Sequence, residues 1–222
     1  MRYQNLVLIG TSHIAKESIA AVKQTILQEQ PAIVALELDR KRLLALLHPQ
    51  KAKPRWKDIK RIGVKGYLFS IIGAWVEQKL GEKVGVKPGA EMLQAVQAAH
   101  EVHADLALID QDIEVTLRRF SQTLTWKEKG RLFADVFKGL VLRKSDFTFD
   151  LSTVPSPKLI AKMIKQVQKR YPNIYRVLVT ERNEIMAQRL ARLMHHYPDK
   201  MIVAVVGAGH EKEILQLIRQ LS

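Results

Sequence analysis

The sequence predicts an α/β fold: a mostly parallel or mixed central sheet flanked by helices. Three observations point to it. Four short apolar runs rich in β-branched residues recur along the chain, at Leu6–Ile9, Ile33–Leu36, Leu106–Ile109 and Ile202–Val206, and such runs read as buried strands. Segments with apolar residues at helical spacing lie between them, and this alternation lays parallel strands into one sheet. The 222 residues, 47% of them hydrophobic, fit a single domain over 1–222 with a core of ordinary size.

Residues 5–9 open the sheet. Residues 15–29 follow as a helix with Ile19, Val22 and Ile26 on one face, ended by Pro31. The second strand, 33–36, runs into Glu37-Leu38-Asp39. Strand, helix and strand of these lengths make a βαβ unit with a right-handed crossover. A short Leu-rich helix spans 40–47. Composition shifts at Pro49 to Pro54, and residues 55–82 read as partly apolar helix, so a helical insertion is expected at about 51–88. Lys87-Pro88-Gly89 is a loop. A helix over 90–103, with Met92, Val96 and Ala99 inward, leads to the strand 106–109 and Asp110. Residues 111–121 and 126–143 read as helices, and 145–157 as loop with a short strand. The amphipathic segment 158–170 is stopped by Pro172. A helix over 180–195, a strand over 201–206 and a helix over 211–220 complete the chain.

Cysteine is absent, which excludes disulfides, thiolate metal sites and a cysteine nucleophile. The start of the chain has none of the parts of a secretory signal, so an unprocessed, cytoplasmic protein is expected. The net charge of +14 favours anionic partners: nucleic acid, acidic lipid or an acidic substrate. The basic residues are dispersed as on a solvated face, and no nucleic-acid-binding motif accompanies them. The apolar stretch 67–76 is shorter than the roughly 20 residues a membrane span requires. It reads as a buried helix. Its alternative is a face, centred on Trp75, that meets a twin chain in a homodimer or touches a membrane peripherally.

Two motifs of the form G-x-x-H stand at strand ends: Gly10-Thr11-Ser12-His13 and Gly207-Ala208-Gly209-His210. If those strands share one parallel sheet, both imidazoles reach the edge where open α/β sheets bind ligands. The other strands end in Glu37 and Asp39, and in Asp110 and Asp112. Imidazole with carboxylate suits a first-row divalent metal, which lowers the pKa of a bound water and polarises a carbonyl. Each residue also has a plainer reading. A strand-end carboxylate often caps the next helix or pairs with arginine, and a lone G-x-x-H is a weak signal. Glu181-Arg182 opens a helix, where acid suits the dipole. Alternatively Arg182 reaches the same edge and grips a carboxylate or an oxyanion. Arg118 and Arg119 offer the same choice between site and solvent.

The chain resembles the TraB/PrgY family over most of its length. The resemblance rests on six motifs in order: Gly10-Thr11-Ser12-His13; Val34–Asp39 with Arg42 following; Pro88–Met92; Leu108–Ile113 with Thr116–Arg119; Glu181–Ala187; and Val205–His210. It implies kinship with the Tiki metalloproteases, the erythromycin-esterase-like enzymes and the haem-binding ChaN-like proteins. The bacterial namesakes limit a peptide pheromone made by their own cell. Many relatives continue into C-terminal membrane helices, whereas this sequence ends at Ser222. It also has Gln111 where the family often has arginine, and Asn183 where aspartate is common.

Carried onto this chain, the resemblance implies a divalent metal (Mn, Co or Zn) held by His13, His210 and Glu37. Glu37 doubles as general base, and Arg182, Glu181 and Arg42 are further catalytic candidates. Asp39, Asp110, Asp112 and Arg118 would support them from behind. The expected activity is metal-dependent hydrolysis of peptides. The competing expectations are a non-catalytic protein that sequesters a peptide, haem or another anionic ligand, and a binder of nucleic acid or lipid surfaces driven by charge.

Overall fold

The computed structural model describes residues 1–11, 16–48, 67, 89–128, 130, 131, 134, 135 and 165–221. Among the described residues five strands form one mixed sheet: β1 (Arg2–Tyr3), β2 (Leu6–Thr11), β3 (Ile33–Leu36), β4 (Asp105–Leu108) and β5 (Ile202–Gly207). Their order is β1-β2-β5-β3-β4. Only β1 is antiparallel to its neighbour. This two-residue strand was not anticipated, being too short for a period. It turns back at Gln4, whose φ of 49° is left-handed.

Among the described residues, helices cover both faces of the sheet. On one face lie α1 (Lys16–Glu29) and, after the short α2 (Arg40–Leu47), α3 (Ala90–Glu101). Val22 and Ile26 of α1 and Met92, Ala95 and Ala99 of α3 bury against Val34, Leu36, Val203 and Val205. The opposite face takes α6 (Glu181–His196) and α7 (Glu211–Leu221). Their Met186, Leu190, Met194, Ile214 and Ile218 bury against Leu6, Leu8, Ile33, Ala35, Ala204 and Val206. Successive residues of β5 thus alternate between two dry faces. That is why this strand is an unbroken apolar run and not an alternating one. Each fully buried Leu or Ile contributes about 1.5–3 kcal/mol relative to exposure. The edge strand β4 has one covered flank in the sheet, and Leu106 remains 42% exposed.

Between β4 and α6 come α4 (Ile113–Thr123), the single turn α5 (Pro172–Tyr175) and a π-helical turn at Arg176–Thr180. Helix was not anticipated over 172–179, because Pro172 read as a stop. It sits instead at the first helical position, where no N–H is needed. Glu128 accepts the next orphan donor, Asn173 N–H, at 2.8 Å. Asp112 caps α4, so that helix starts at 113 and not at 111. The expected insertion at about 51–88, the stretch around Trp75 and the loop at 145–157 lie outside the described residues. So do most of 126–143 and the first half of 158–170. Among the described residues no helix is long and apolar enough to cross a membrane.

The chain leaves β2 into α1 on one face and leaves β5 into α7 on the other. The carboxyl ends of these two adjacent parallel strands therefore flank a topological switch point, the place where open α/β sheets form a binding crevice.

Candidate functional site

Both G-x-x-H motifs begin at that crevice. Gly10 pairs in register with Val206, and Thr11 with Gly207. Ala208 N–H donates to Thr11 O at 2.8 Å, and Thr11 Oγ1 donates to Val206 O at 3.2 Å. The lack of a side chain at Gly10 eases this close approach. A Cβ there would stand 2.6 Å from Glu211 Oε2 and 3.2 Å from Ala208 Cα. His13, two residues beyond Thr11, lies outside the described residues.

Glu37 extends β3 by one hydrogen bond, its N–H donating to Val205 O at 3.1 Å. The side chain turns across the end of β5 and is almost wholly buried. Its Oε2 accepts Gly207 N–H at 2.6 Å, and its Oε1 accepts from Arg182 Nη2. Arg182, in the first turn of α6, forks onto Asp110 as well: Nε to Oδ1 at 3.0 Å and Nη2 to Oδ2 at 2.6 Å. Its Nη1 donates to Leu178 O, 3.2 Å away in the π turn. Arg42 closes the network, donating through Nε to Asp39 Oδ2 at 2.8 Å and through Nη2 to Asp110 Oδ2. Asp39 also caps α2, accepting from Lys41 N–H at 2.7 Å and Arg42 N–H at 3.0 Å, and takes Ile113 N–H at 3.1 Å.

Glu37, Asp39 and Asp110 thus face Arg42 and Arg182, and these five groups carry one excess negative charge. Burial pushes the Asp110 carboxyl up, but the hydrogen bond and charge of Arg182, with the charge of Arg42, outweigh it and hold the group below the ordinary carboxylate range. Burial opposes the charge on Arg182, and Glu37 and Asp110 more than restore it, so its pKa lies above that of an ordinary guanidinium.

His210 stands beside this network with its ring mostly covered. The backbone N–H of His210 donates to Gly207 O at 2.9 Å, which fixes the turn. Nδ1 lies 2.6 Å from Asn183 Oδ1, and Nε2 lies 3.5 Å from Glu37 Oε1. For bonds of about 2.1 Å, a tetrahedral ion separates neighbouring donors by about 3.4 Å. His210 Nε2 and Glu37 Oε1 match that spacing, and imidazole with carboxylate is a donor set for Zn, Mn or Co. Among the described residues no group of three His, Asp or Glu side chains is arranged to hold a metal. The third expected ligand, His13, is outside them.

The remaining candidates are placed elsewhere. Glu181 turns to Arg119, which grips it through Nε at 3.1 Å and Nη2 at 2.6 Å, with Arg176 at 3.6 Å. Arg118 is exposed. Asp112 caps α4 through Glu114 N–H at 2.7 Å and pairs with Lys41 at 3.0 Å. Asn183 and Gly207 N–H, both in contact with the cluster, were not singled out as site groups from sequence. An amide on a helix carries no signal of its partner, and a backbone donor carries none at all.

An open α/β sheet with His, Glu and Arg gathered at the switch point between two G-x-x-H motifs defines the class. The chain belongs to the TraB/PrgY/gumN family, which it matches over residues 3–222. It is 34% identical to an uncharacterised protein of Methanocaldococcus jannaschii, over 98% of this chain and 54% of that protein. It is 26% identical to a TraB domain-containing protein of Bos taurus and 25% identical to one of Homo sapiens, in each case over 91% of this chain. These cover 59% and 60% of the mammalian proteins. The chain therefore spans little more than half the length of the relatives it matches.

Proposed function

We propose that the crevice between β2 and β5 is the centre of a divalent-metal-dependent hydrolase acting on peptides. The observation that carries the metal site is the 3.5 Å approach of His210 Nε2 to Glu37 Oε1, beside a register that pairs Gly10 with Val206 and Thr11 with Gly207. His210, Glu37 and His13 would hold the ion. When bound, it supplies a water of lowered pKa and polarises the scissile carbonyl. Arg182 and Gly207 N–H hold the Glu37 carboxylate in place, and Asp110 and Arg42 brace Arg182 from behind. Arg182 is therefore a positioning residue: its donors are engaged with Glu37, Asp110 and Leu178. The peptide substrate class is what the resemblance to the Tiki proteases implies.

The test uses the full chain, stripped of metal and titrated with Co2+, with the absorption spectrum followed. One equivalent should bind, with a spectrum of mixed nitrogen and oxygen ligation. His210→Ala, His13→Ala and Glu37→Ala should each weaken binding by at least about tenfold, some 1.4 kcal/mol. Mass spectrometry of a peptide mixture incubated with Mn-, Co- or Zn-loaded protein should show cleavage that is lost in His210→Ala. Failure of the wild type to bind Co2+ stoichiometrically overturns the metal site. Binding without cleavage under any of the three metals overturns the hydrolase.

A further inference from the structure

We propose that Asn183, backed by Glu213 and Tyr175, is a positioning residue that fixes the tautomer of His210, placing the proton on Nδ1 and the lone pair on Nε2. The consequence for metal binding rests on the reading above; the tautomer is a property of the metal-free protein.

The relay is read from its far end. A carboxylate only accepts hydrogen bonds, whereas an amide has one accepting and one donating side. Glu213 Oε2 lies 2.8 Å from Asn183 Nδ2 and 3.4 Å from Tyr175 Oη. Burial, then the charge and hydrogen bond of Glu213, push the Tyr175 hydroxyl above its ordinary range, so it stays protonated and donates. Glu213 therefore fixes which way the Asn183 amide points. Its NH2 faces Glu213, and its Oδ1 faces His210 Nδ1 at 2.6 Å. An amide oxygen cannot donate, so Nδ1 carries the hydrogen, and in the neutral ring the lone pair falls on Nε2. That atom is the one 3.5 Å from Glu37 Oε1.

The relay has rigid supports. Asn183 is wholly buried. It stands on α6, Glu213 stands on α7 one turn beyond His210, and Tyr175 ends α5. α6 and α7 pack on the same sheet face. An imidazole without such a partner samples both tautomers, whereas a hydrogen bond at one nitrogen sets the other. Partners of this kind orient a ligand ring and raise its basicity. Asn183 and Glu213 hold one negative charge between them. Exchanging the two chemistries, by Asn183→Asp together with Glu213→Gln, would keep the charge and keep position 183 an acceptor towards His210 Nδ1, while the bond between positions 183 and 213 reverses its direction.

The experiment records two-dimensional 15N–1H correlation spectra of the imidazoles in uniformly labelled, metal-free protein, with His210 assigned by its loss in His210→Ala. Wild type should show His210 protonated on Nδ1 and bare on Nε2. Glu213→Gln is nearly isosteric and frees the Asn183 amide to flip, so protonation at Nε2 should appear. Asn183→Leu should give the same mixture. Asn183→Asp combined with Glu213→Gln should restore the Nδ1–H form. Co2+ affinity should fall by about 10–100-fold in Asn183→Leu and return towards wild type in the exchange variant. Wild-type protonation on Nε2, or a tautomer indifferent to Glu213→Gln, overturns the relay. If the tautomers behave as stated and no variant, nor the wild type, binds Co2+, the metal reading fails while the relay stands.

Discussion

Replacing Arg182 with leucine removes the guanidinium that Glu37 and Asp110 share. Their side chains are 4% and 1% exposed, and that of Arg182 is 15% exposed. Breaking a buried pair by deleting one partner costs about 3–5 kcal/mol, because a charge is left without compensation. Asp110 retains Arg42 and Gln111 N–H, and Glu37 retains Gly207 N–H. The loss at pH 7 should therefore fall at the lower end, about 3 kcal/mol. In wild type the folded Asp110 carboxyl titrates below its unfolded value of about 3.9. The stability it contributes is present above that value and is lost as pH falls through the folded pKa. In the variant Asp110 loses the hydrogen bond and charge of Arg182 that outweigh its burial, so its carboxyl rises. The penalty is then full above its raised value and shrinks as pH falls towards the unfolded one. Urea unfolding followed by circular dichroism at pH 7 and pH 4.5 reads both effects, provided the slope is unchanged. A loss under about 1 kcal/mol at pH 7, or a loss equal at the two pH values, refutes a buried charge network as the brace of the site.

Further substitutions test how the site and the elements around it are held. Asp39→Ala removes a helix cap, an ion pair to Arg42 and an acceptor for Ile113 N–H, and should cost about 2–4 kcal/mol in urea unfolding. Asp112→Ala, at a cap 41% exposed, should cost about 1 kcal/mol, and equal losses would contradict the assigned roles. Gly10→Ala drives a methyl into Glu211 and Ala208 and should lower stability by about 1–3 kcal/mol. Gly10→Ala with Glu211→Ala should recover part of that loss, and no recovery would mean the side-chain clash is not the cause. Burial raises the Glu128 carboxyl, but its bonds from Asn173 and Thr125 prevail and lower it. Its stabilisation is thus present at neutral pH and lost in acid. Glu128→Gln should cost about 1–2 kcal/mol at pH 7 and less below pH 4 in the same assay, and a loss constant across that range would count against it.

The strands were legible because burial on both faces leaves an unbroken β-branched run, and the helices because one stripe of each is apolar. Edges of elements were less so. Pro172 reads as a stop from its chemistry, yet a proline serves equally well at a helix start, and only Glu128, reaching in from 45 residues away, selects the second use. The same limit applies at the site. Glu37, Arg182 and Asp110 stood out as polar groups at strand ends and at a helix start. That Arg182 reaches Glu37 and Asp110 together while its neighbour Glu181 turns to Arg119 is set by the rotation of α6 after the π turn. Helical neighbours point about 100° apart, so adjacent residues of one motif enter different surroundings.

By itself the sequence determined the α/β class, the motif-bearing strand ends and the family, because these depend on local sterics and on the separation of apolar from polar groups along the chain. Only the tertiary structure decided that β5 inserts between β2 and β3, which brings Gly10 beside Val206 and Glu37 onto Gly207 N–H. It alone joined Glu37 to Arg182 across 145 positions and His210 to Asn183 across 27. Such contacts are chosen by packing of whole layers, whose geometry no short stretch of residues contains.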